Sequence, residues 1–225
     1  MVMAEQYSRE ERAGVYRAIR ERRDVRSGFA PNALPQELLI RLLASAHQAP
    51  SVGLMQPWRF IVIQSRAIRE RIFESFQDAS SQEHKTYSGE RAEVYSRLTL
   101  QGILSAPLNL CVVCDCASPR GHSLGRHTMP ETALYSAVCA IQNLWLAARA
   151  EGVGLGWVSI LDPERVKTVL NIPAPMRLVG YFCMGFVENF AAEPELERAG
   201  WERRLRLEDV LRSETFDQPW GTVQP

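Results

Sequence analysis

Lysine is almost missing from this chain of 225 residues: Lys85 and Lys167 stand beside 24 arginines. The arginines are spread over the whole length, so their surplus by itself carries no link to an activity. Net charge of either sign is missing too, because 26 basic residues balance 26 acidic ones. No summed basic field exists to draw in nucleic acid. Long apolar runs are absent: the longest, Leu178 to Val187, spans ten residues and contains Gly180 and Gly185, too short and too interrupted to cross a bilayer. Met1 to Ser8 lack the apolar segment of a secretory signal. Cysteine is sparse and odd in number, five in all, unlike the dense even framework of a small secreted domain. These absences predict a soluble, cytoplasmic protein without nucleic-acid or membrane partners. What is present, 46% hydrophobic and 23% charged residues, is a globular composition.

Helical and strand periods interleave along the chain. Ser8 and Glu11 form a capping-box pattern ahead of Val15, Ala18 and Ile19, which predicts a helix ending near Arg22. Leu38, Leu39, Leu42, Leu43 and Ala46 make an apolar stripe opened by Pro35 and closed by Pro50. Phe60 to Ile63 reads as a buried strand and Arg66 to Phe76 as a helix. Residues 78–89 show no period and are expected to be a loop, a candidate lid. Helical spacing returns over Glu90 to Leu104, Leu108 to Cys114 reads as a strand, and Ala117 to Thr128 as a loop. Pro130 and Glu131 open a long helix that Gly152 ends. Gly154 to Ile160 and Leu178 to Val187 supply two further strands, with a short helix capped by Asp162 between them and another near Leu207 to Leu211. No repeat and no linker divides the chain, so residues 1–225 are expected to form a single α+β domain around a mixed sheet surrounded by helices, with 213–225 as a tail.

Several chemical signals fail on spacing. Gly152, Gly154 and Gly156 lack the third glycine of a dinucleotide fingerprint, since Trp157 stands there, and they follow a helix rather than a strand. Cys111, Cys114 and Cys116 lie on a strand with Cys111 facing away from the other two, which argues against a metal site and for buried small hydrophobes. No G-x-S-x-G nucleophile elbow occurs. His47 reads as a surface or satisfied histidine.

Two clusters are more informative. Arg20-Glu21-Arg22-Arg23-Asp24-Val25-Arg26 sets four arginines around Asp24 where a helix should stop. Guanidinium forks suit phosphate, although cations at a helix C-terminus also complement its dipole, and spacing does not decide between the two. Pro50 to Trp58 is a rigid turn in which Ser51 and Gln56 offer groups able to hydrogen bond a heterocycle; the same residues would also make a simple fixed connector.

Taken together, the two clusters resemble the FMN-dependent nitroreductase superfamily, in which an Arg-Arg-Ser-x-Arg segment and a Pro-Ser-x-x-Asn-x-Gln-Pro-Trp segment both touch the flavin. The resemblance extends through Gly154-Leu155-Gly156-Trp157 and Arg203 to Asp209. Arg22-Arg23-Asp24-Val25-Arg26, Gly125 to Thr132 and Gly156 to Ile160 are most similar to the branch that consumes its flavin. That branch fragments reduced FMN with dioxygen to 5,6-dimethylbenzimidazole, the lower ligand of cobalamin, and erythrose 4-phosphate. Two departures from ordinary nitroreductases agree: Asp24 stands where the common pattern has serine, and Leu54 where it has a flavin-contacting Asn.

The resemblance implies that Arg22, Arg23, Asp24, Val25 and Arg26 line the FMN, with Arg204 as a further phosphate contact, Ser51 and Gln56 along the flavin, and the backbone of Leu100 close to it. It implies Asp24 and Ser159 as the catalytic pair, Asp24 as acid or base and Ser159 as an orienting hydroxyl. Reduced FMN is then cofactor and substrate at once. Electrons come from NAD(P)H or from a separate flavin reductase, and the site lies in a homodimer, with the tail around Phe216 and Trp220 clasping the other subunit. No metal is expected. The competing expectations are an NAD(P)H-dependent nitroreductase or flavin reductase that leaves FMN intact, and a non-catalytic flavin-binding protein.

Overall fold

In the computed structural model, which describes residues 5–221, four strands form one sheet in the order β1-β2-β4-β3. These are β1 (Trp58–Ile63), β2 (Leu108–Cys114), β3 (Val153–Val158) and β4 (Arg177–Phe186). All three ladders are antiparallel. The parallel component of the expected mixed sheet is confined, among the described residues, to a single bridge between Asp24 and Leu155.

The period of two along β2 sorts its side chains into two cores. Leu108, Leu110, Val112 and Cys114 enter one, with Leu42 of α2 (Gln36–His47) and Ile141 and Leu144 of α5 (Thr132–Ala150). Cys111 and Val113 enter the other, with Ile72 of α3 (Arg66–His84) and Val166 of α6 (Pro163–Val169). Every residue of β2 is buried, including the polar Asn109, whose Oδ1 accepts from the Tyr181 hydroxyl at 2.9 Å, so the sheet is covered on both faces. The thiols follow this placement: burial pushes Cys111 and Cys183 up to about 12.

Local chemistry sets the ends of the elements. Ser8 and Glu11 close the capping box of α1 (Arg9–Glu21) through reciprocal bonds of 3.2 and 2.8 Å. Asp162 caps α6 by accepting from the N–H groups of Glu164 and Arg165. The expected loop at 78–89 is corrected. Helix α3 continues to His84, and α4 (Gly89–Arg97) begins after a short turn. Polar residues in 78–84 hide the helical period, but the Ser80 hydroxyl meets the Tyr95 hydroxyl at 3.2 Å and His84 Nε2 meets Ser96 Oγ at 3.0 Å, which ties α3 to α4. Helix α4 in turn stops at Arg97, short of the expected Leu104, and residues 98–101 run outside any helix or strand. Two four-residue helices, α7 (Glu195–Arg198) and α8 (Leu207–Val210), lie toward the C-terminus.

Candidate active site

The site begins where α1 ends. Arg22 leaves the helical region with ψ at 137°, and the chain continues along the free edge of β3, the Val25 N–H donating to the Leu155 carbonyl at 3.0 Å. Gly156 makes this approach feasible, because an ideal Cβ there would fall 1.8 Å from the Val25 oxygen. Asp24 is thereby fixed at both carboxylate oxygens. Oδ1 accepts from the Trp157 N–H at 2.7 Å and Oδ2 from the Arg26 guanidinium at 2.6 Å, with the Asp24 side chain 29% exposed and that of Arg26 13%. A charge-assisted bond of this length between partly buried groups is strong and directional.

Around the carboxylate stands an excess of cations. Arg22, Arg23, Arg26 and Arg204 line a concavity of about 120 Å³ against the carboxylates of Asp24 and Glu195. A neighbouring concavity of about 320 Å³ extends from Arg23 and Arg26 past Gly28 to Asn189. Burial pushes the Arg22 pKa down; the Asp24 carboxylate opposes this, and Arg204 and Arg23 add to the depression. Arg23 gives one arm to the carbonyls of Arg20 and Arg22 and another to that of Ala192. Its Nε and that of Arg26 are buried without a protein acceptor. Surplus guanidinium charge and orphaned donors at a small concavity fit a phosphate monoester, the group at the end of the FMN ribityl chain.

The remaining expected residues are placed less closely. Ser159 follows β3 directly and is exposed; the Asp162 N–H, bonded at 3.2 Å to the buried Ser75 Oγ, anchors its turn. Leu100 lies two residues before Gly102, where a Cβ would come within 3.0 Å of the Arg26 carbonyl, so its segment runs beside the arginine cluster, and it lines a separate concavity of about 450 Å³. Ser51 and Gln56 are not brought to the arginines within one chain. The Ser51 hydroxyl accepts from the Gln56 N–H at 3.1 Å, and the Gln56 side chain faces a hollow beside Ile40, His47 and Trp58. Leu54 in that turn is 72% exposed with φ at 53°.

Several positioning groups had no chemical signature in the sequence. The Trp157 N–H that holds Asp24 is a backbone atom. Trp145 donates to the Arg23 carbonyl at 3.0 Å from within α5. The 51–56 turn is held by Ser136, whose Oγ accepts from the Val52 N–H at 3.0 Å, and by Gly121, where a Cβ would lie 2.6 Å from the Gly53 oxygen. Arg126, in one of the motifs noted above, donates to the carbonyls of Cys116 and Ser118 at 2.9 Å and so braces the loop carrying Gly121. His47 is satisfied, accepting from Trp58 Nε1 at 3.1 Å. Cys114 and Cys116 share a face with sulfurs 3.5 Å apart, Cys111 lies in the opposite core, and no metal-binding group of three occurs among the described residues.

This architecture is that of the nitroreductase family, and the chain belongs to it: the family matches residues 19–186. Three relatives at 40–47% identity are named 5,6-dimethylbenzimidazole synthase, and one at 25% identity over 163 residues, from Methanothermobacter thermautotrophicus, is named a putative NADH dehydrogenase/NAD(P)H nitroreductase. The chain is 47% identical over 191 residues to the 5,6-dimethylbenzimidazole synthase of Rhodospirillum rubrum, covering 85% of this chain and 90% of that protein. It is 44% identical over 190 residues to the 5,6-dimethylbenzimidazole synthase of Rhodobacter capsulatus, covering 84% and 91%. Solved structures agree on the fold. Iodotyrosine deiodinase bound to FMN and 3-iodo-L-tyrosine superposes with a TM-score of 0.71 at 23% identity, over 90% of this chain and all of that one. A BluB-like flavoprotein from Clostridium difficile superposes with a TM-score of 0.67 at 19% identity, over 89% and 99%.

Proposed function

We propose that this protein fragments reduced FMN in the presence of dioxygen to 5,6-dimethylbenzimidazole and erythrose 4-phosphate, supplying the lower ligand of cobalamin. The observation that carries this reading is the carboxylate of Asp24, held between the Trp157 N–H and Arg26 at the mouth of an arginine-lined concavity. The names of the relatives at 44% and 47% identity support the same activity. Bound reduced FMN supplies both the electrons for dioxygen and the carbon skeleton of the product.

The chain's own residues do the rest. Arg22, Arg23, Arg26 and Arg204 grip the phosphate and ribityl region, which anchors the substrate by the end that is not the ring. Asp24 moves protons as acid or base; its Oδ2 leaves Arg26 when the guanidinium turns to the phosphate, and its Oδ1 stays on the Trp157 N–H. Ser159, exposed directly after β3, orients the ring by donating or accepting a hydrogen bond. Ser51 and Gln56 complete the site from a second copy of the chain, a reading supported by their separation from the arginines in one chain. The exposed Leu54 leaves the ring without the polar contact that an Asn would make.

Incubation with chemically reduced FMN in air, with both products followed by chromatography, tests the proposal. Loss of one flavin per dimethylbenzimidazole formed is the expected result. Flavin that survives repeated oxidation of NAD(P)H would instead establish a reductase, and binding without either reaction a flavin carrier. Whether NAD(P)H alone can replace the chemical reductant identifies the electron source.

A further inference from the structure

Arg22 is surrounded in a way that calls for explanation. Its guanidinium is partly buried, with two like charges, Arg23 and Arg204, close enough to act on it. Cations arranged like this spread apart unless something other than water holds them. Asp24 is one counter-charge, but both its oxygens are already engaged by Trp157 and Arg26. Glu195 lines the same concavity without an ion pair to Arg22, and the group that Arg22 does stack on is an aromatic face: its guanidinium carbon lies 4.9 Å from the ring centroid of Trp145. That ring is 8% exposed, and its indole N–H donates to the carbonyl of the next residue, Arg23, at 3.0 Å. It is itself wedged edge-on against Phe182 at 6.1 Å and tilted against Trp157 at 6.3 Å, the residue whose N–H holds Asp24.

We infer that Trp145 is a positioning residue that presets the phosphate grip, and that through Arg22 it makes the site select a phosphorylated flavin over the unphosphorylated one. This rests on the functional reading above, since it concerns the same flavin. The ring quadrupole offsets part of the desolvation of Arg22 and the repulsion from Arg23 and Arg204, so the guanidinium is held in place when the anion arrives. The indole N–H fixes the Arg23 carbonyl and with it the turn that separates the two side chains. Without the ring, Arg22 rotates into solvent and must be reordered on binding. That penalty falls on a ligand bearing a phosphate and spares riboflavin, which shares the ring system and lacks the charge.

The test compares dissociation constants of oxidised FMN and riboflavin for the wild-type protein, Trp145→Leu, Trp145→Phe, Arg22→Ala and the double variant Arg22→Ala/Trp145→Leu. Trp145→Leu is expected to weaken FMN by roughly threefold to thirtyfold, the range from an exposed to a desolvated cation–π contact, with riboflavin unchanged. Trp145→Phe, which keeps a ring face, loses less in the same direction; it also stands in for Trp145→Leu if that variant does not fold. In the Arg22→Ala background the substitution at 145 changes the FMN-to-riboflavin ratio much less than it does in the wild type. Equal weakening of both flavins, or none, in a wild-type protein that binds FMN overturns the role of Trp145 alone. A wild-type protein that binds no FMN overturns the functional reading and this inference with it.

Discussion

Both oxygens of Asp24 accept hydrogen bonds from the protein, and this sets what a substitution there can reveal. In Asp24→Asn the amide oxygen still accepts from the Trp157 N–H, while the amide nitrogen faces the Arg26 guanidinium, donor against donor. The arginine is released toward the phosphate, so FMN binding persists. Proton transfer is lost, and dimethylbenzimidazole formation should fall by about 100- to 10,000-fold, the usual weight of a positioned acid or base. Product yield measured by chromatography at saturating FMN checks it; a normal yield removes Asp24 from the reaction. Ser159→Gly is expected to keep flavin binding and lose product in the same assay. A different failure is expected at Gly156, where any Cβ meets the backbone of Val25 rather than a side chain that could turn away. Gly156→Ala should cost about 1–3 kcal/mol in urea unfolding and weaken FMN as the 24–26 segment shifts, and an unchanged midpoint would deny that close approach.

Among the elements, the sheet carries a titration the surface does not. Cys111 and Cys183, on neighbouring strands, are raised by burial from 9.0 to about 12, so between those values the folded chain holds protons that the unfolded chain releases. Their contribution is fully present below pH 9.0 and is lost progressively as pH rises toward about 12. Urea midpoints from about pH 8 to about pH 11 should therefore fall more steeply in the wild-type protein than in Cys111→Val. Parallel curves would show that the thiol does not titrate within the core. The strands were legible as short, mostly apolar runs bounded by turn residues, and the long helix α5 by apolar residues at helical spacing. The second half of α3 was not, since its packing face is built from Ser80 and His84 bonded to Tyr95 and Ser96, polar partners that a hydrophobic period does not register. The arginine cluster was legible by composition, but its meaning depended on two features without a side-chain signature, the Trp157 N–H and the glycine contact at 156. Replacing 80–88 by a short flexible linker tests the lid reading of this region: peroxide released per flavin lost should rise, and unchanged coupling leaves the α3–α4 hairpin a fixed wall.

At the level of the whole molecule, the proposed site lies in pieces on one chain. The proposed phosphate grip lies at the edge of β3, while Gln56 lines a separate hollow beside His47 and Trp58, with its N–H bonded to the Ser51 hydroxyl. Helix α1 buries none of its residues, leaving Val15, Tyr16 and Ile19 exposed by 49% to 63%, and α5 exposes Tyr135 and Val138. An amphipathic helix so placed is only marginally stable unless its apolar stripe is covered. A second copy covering these helices would satisfy the stripe and bring the missing flavin-lining turn to the arginines. The tail adds Phe216 at 88% and Trp220 at 54% exposure, aromatic surface suited to clasping a partner, while the last part of the expected tail, 222–225, lies outside the described residues. Val15→Asp with Ile19→Asp should therefore give a folded monomer in sedimentation that has lost high-affinity FMN binding although every arginine of the grip is intact. A wild-type protein that sediments as a monomer with full product formation would mean that one chain assembles the whole site. The separation of Ser51 and Gln56 from the arginines would then have to close by movement within the chain.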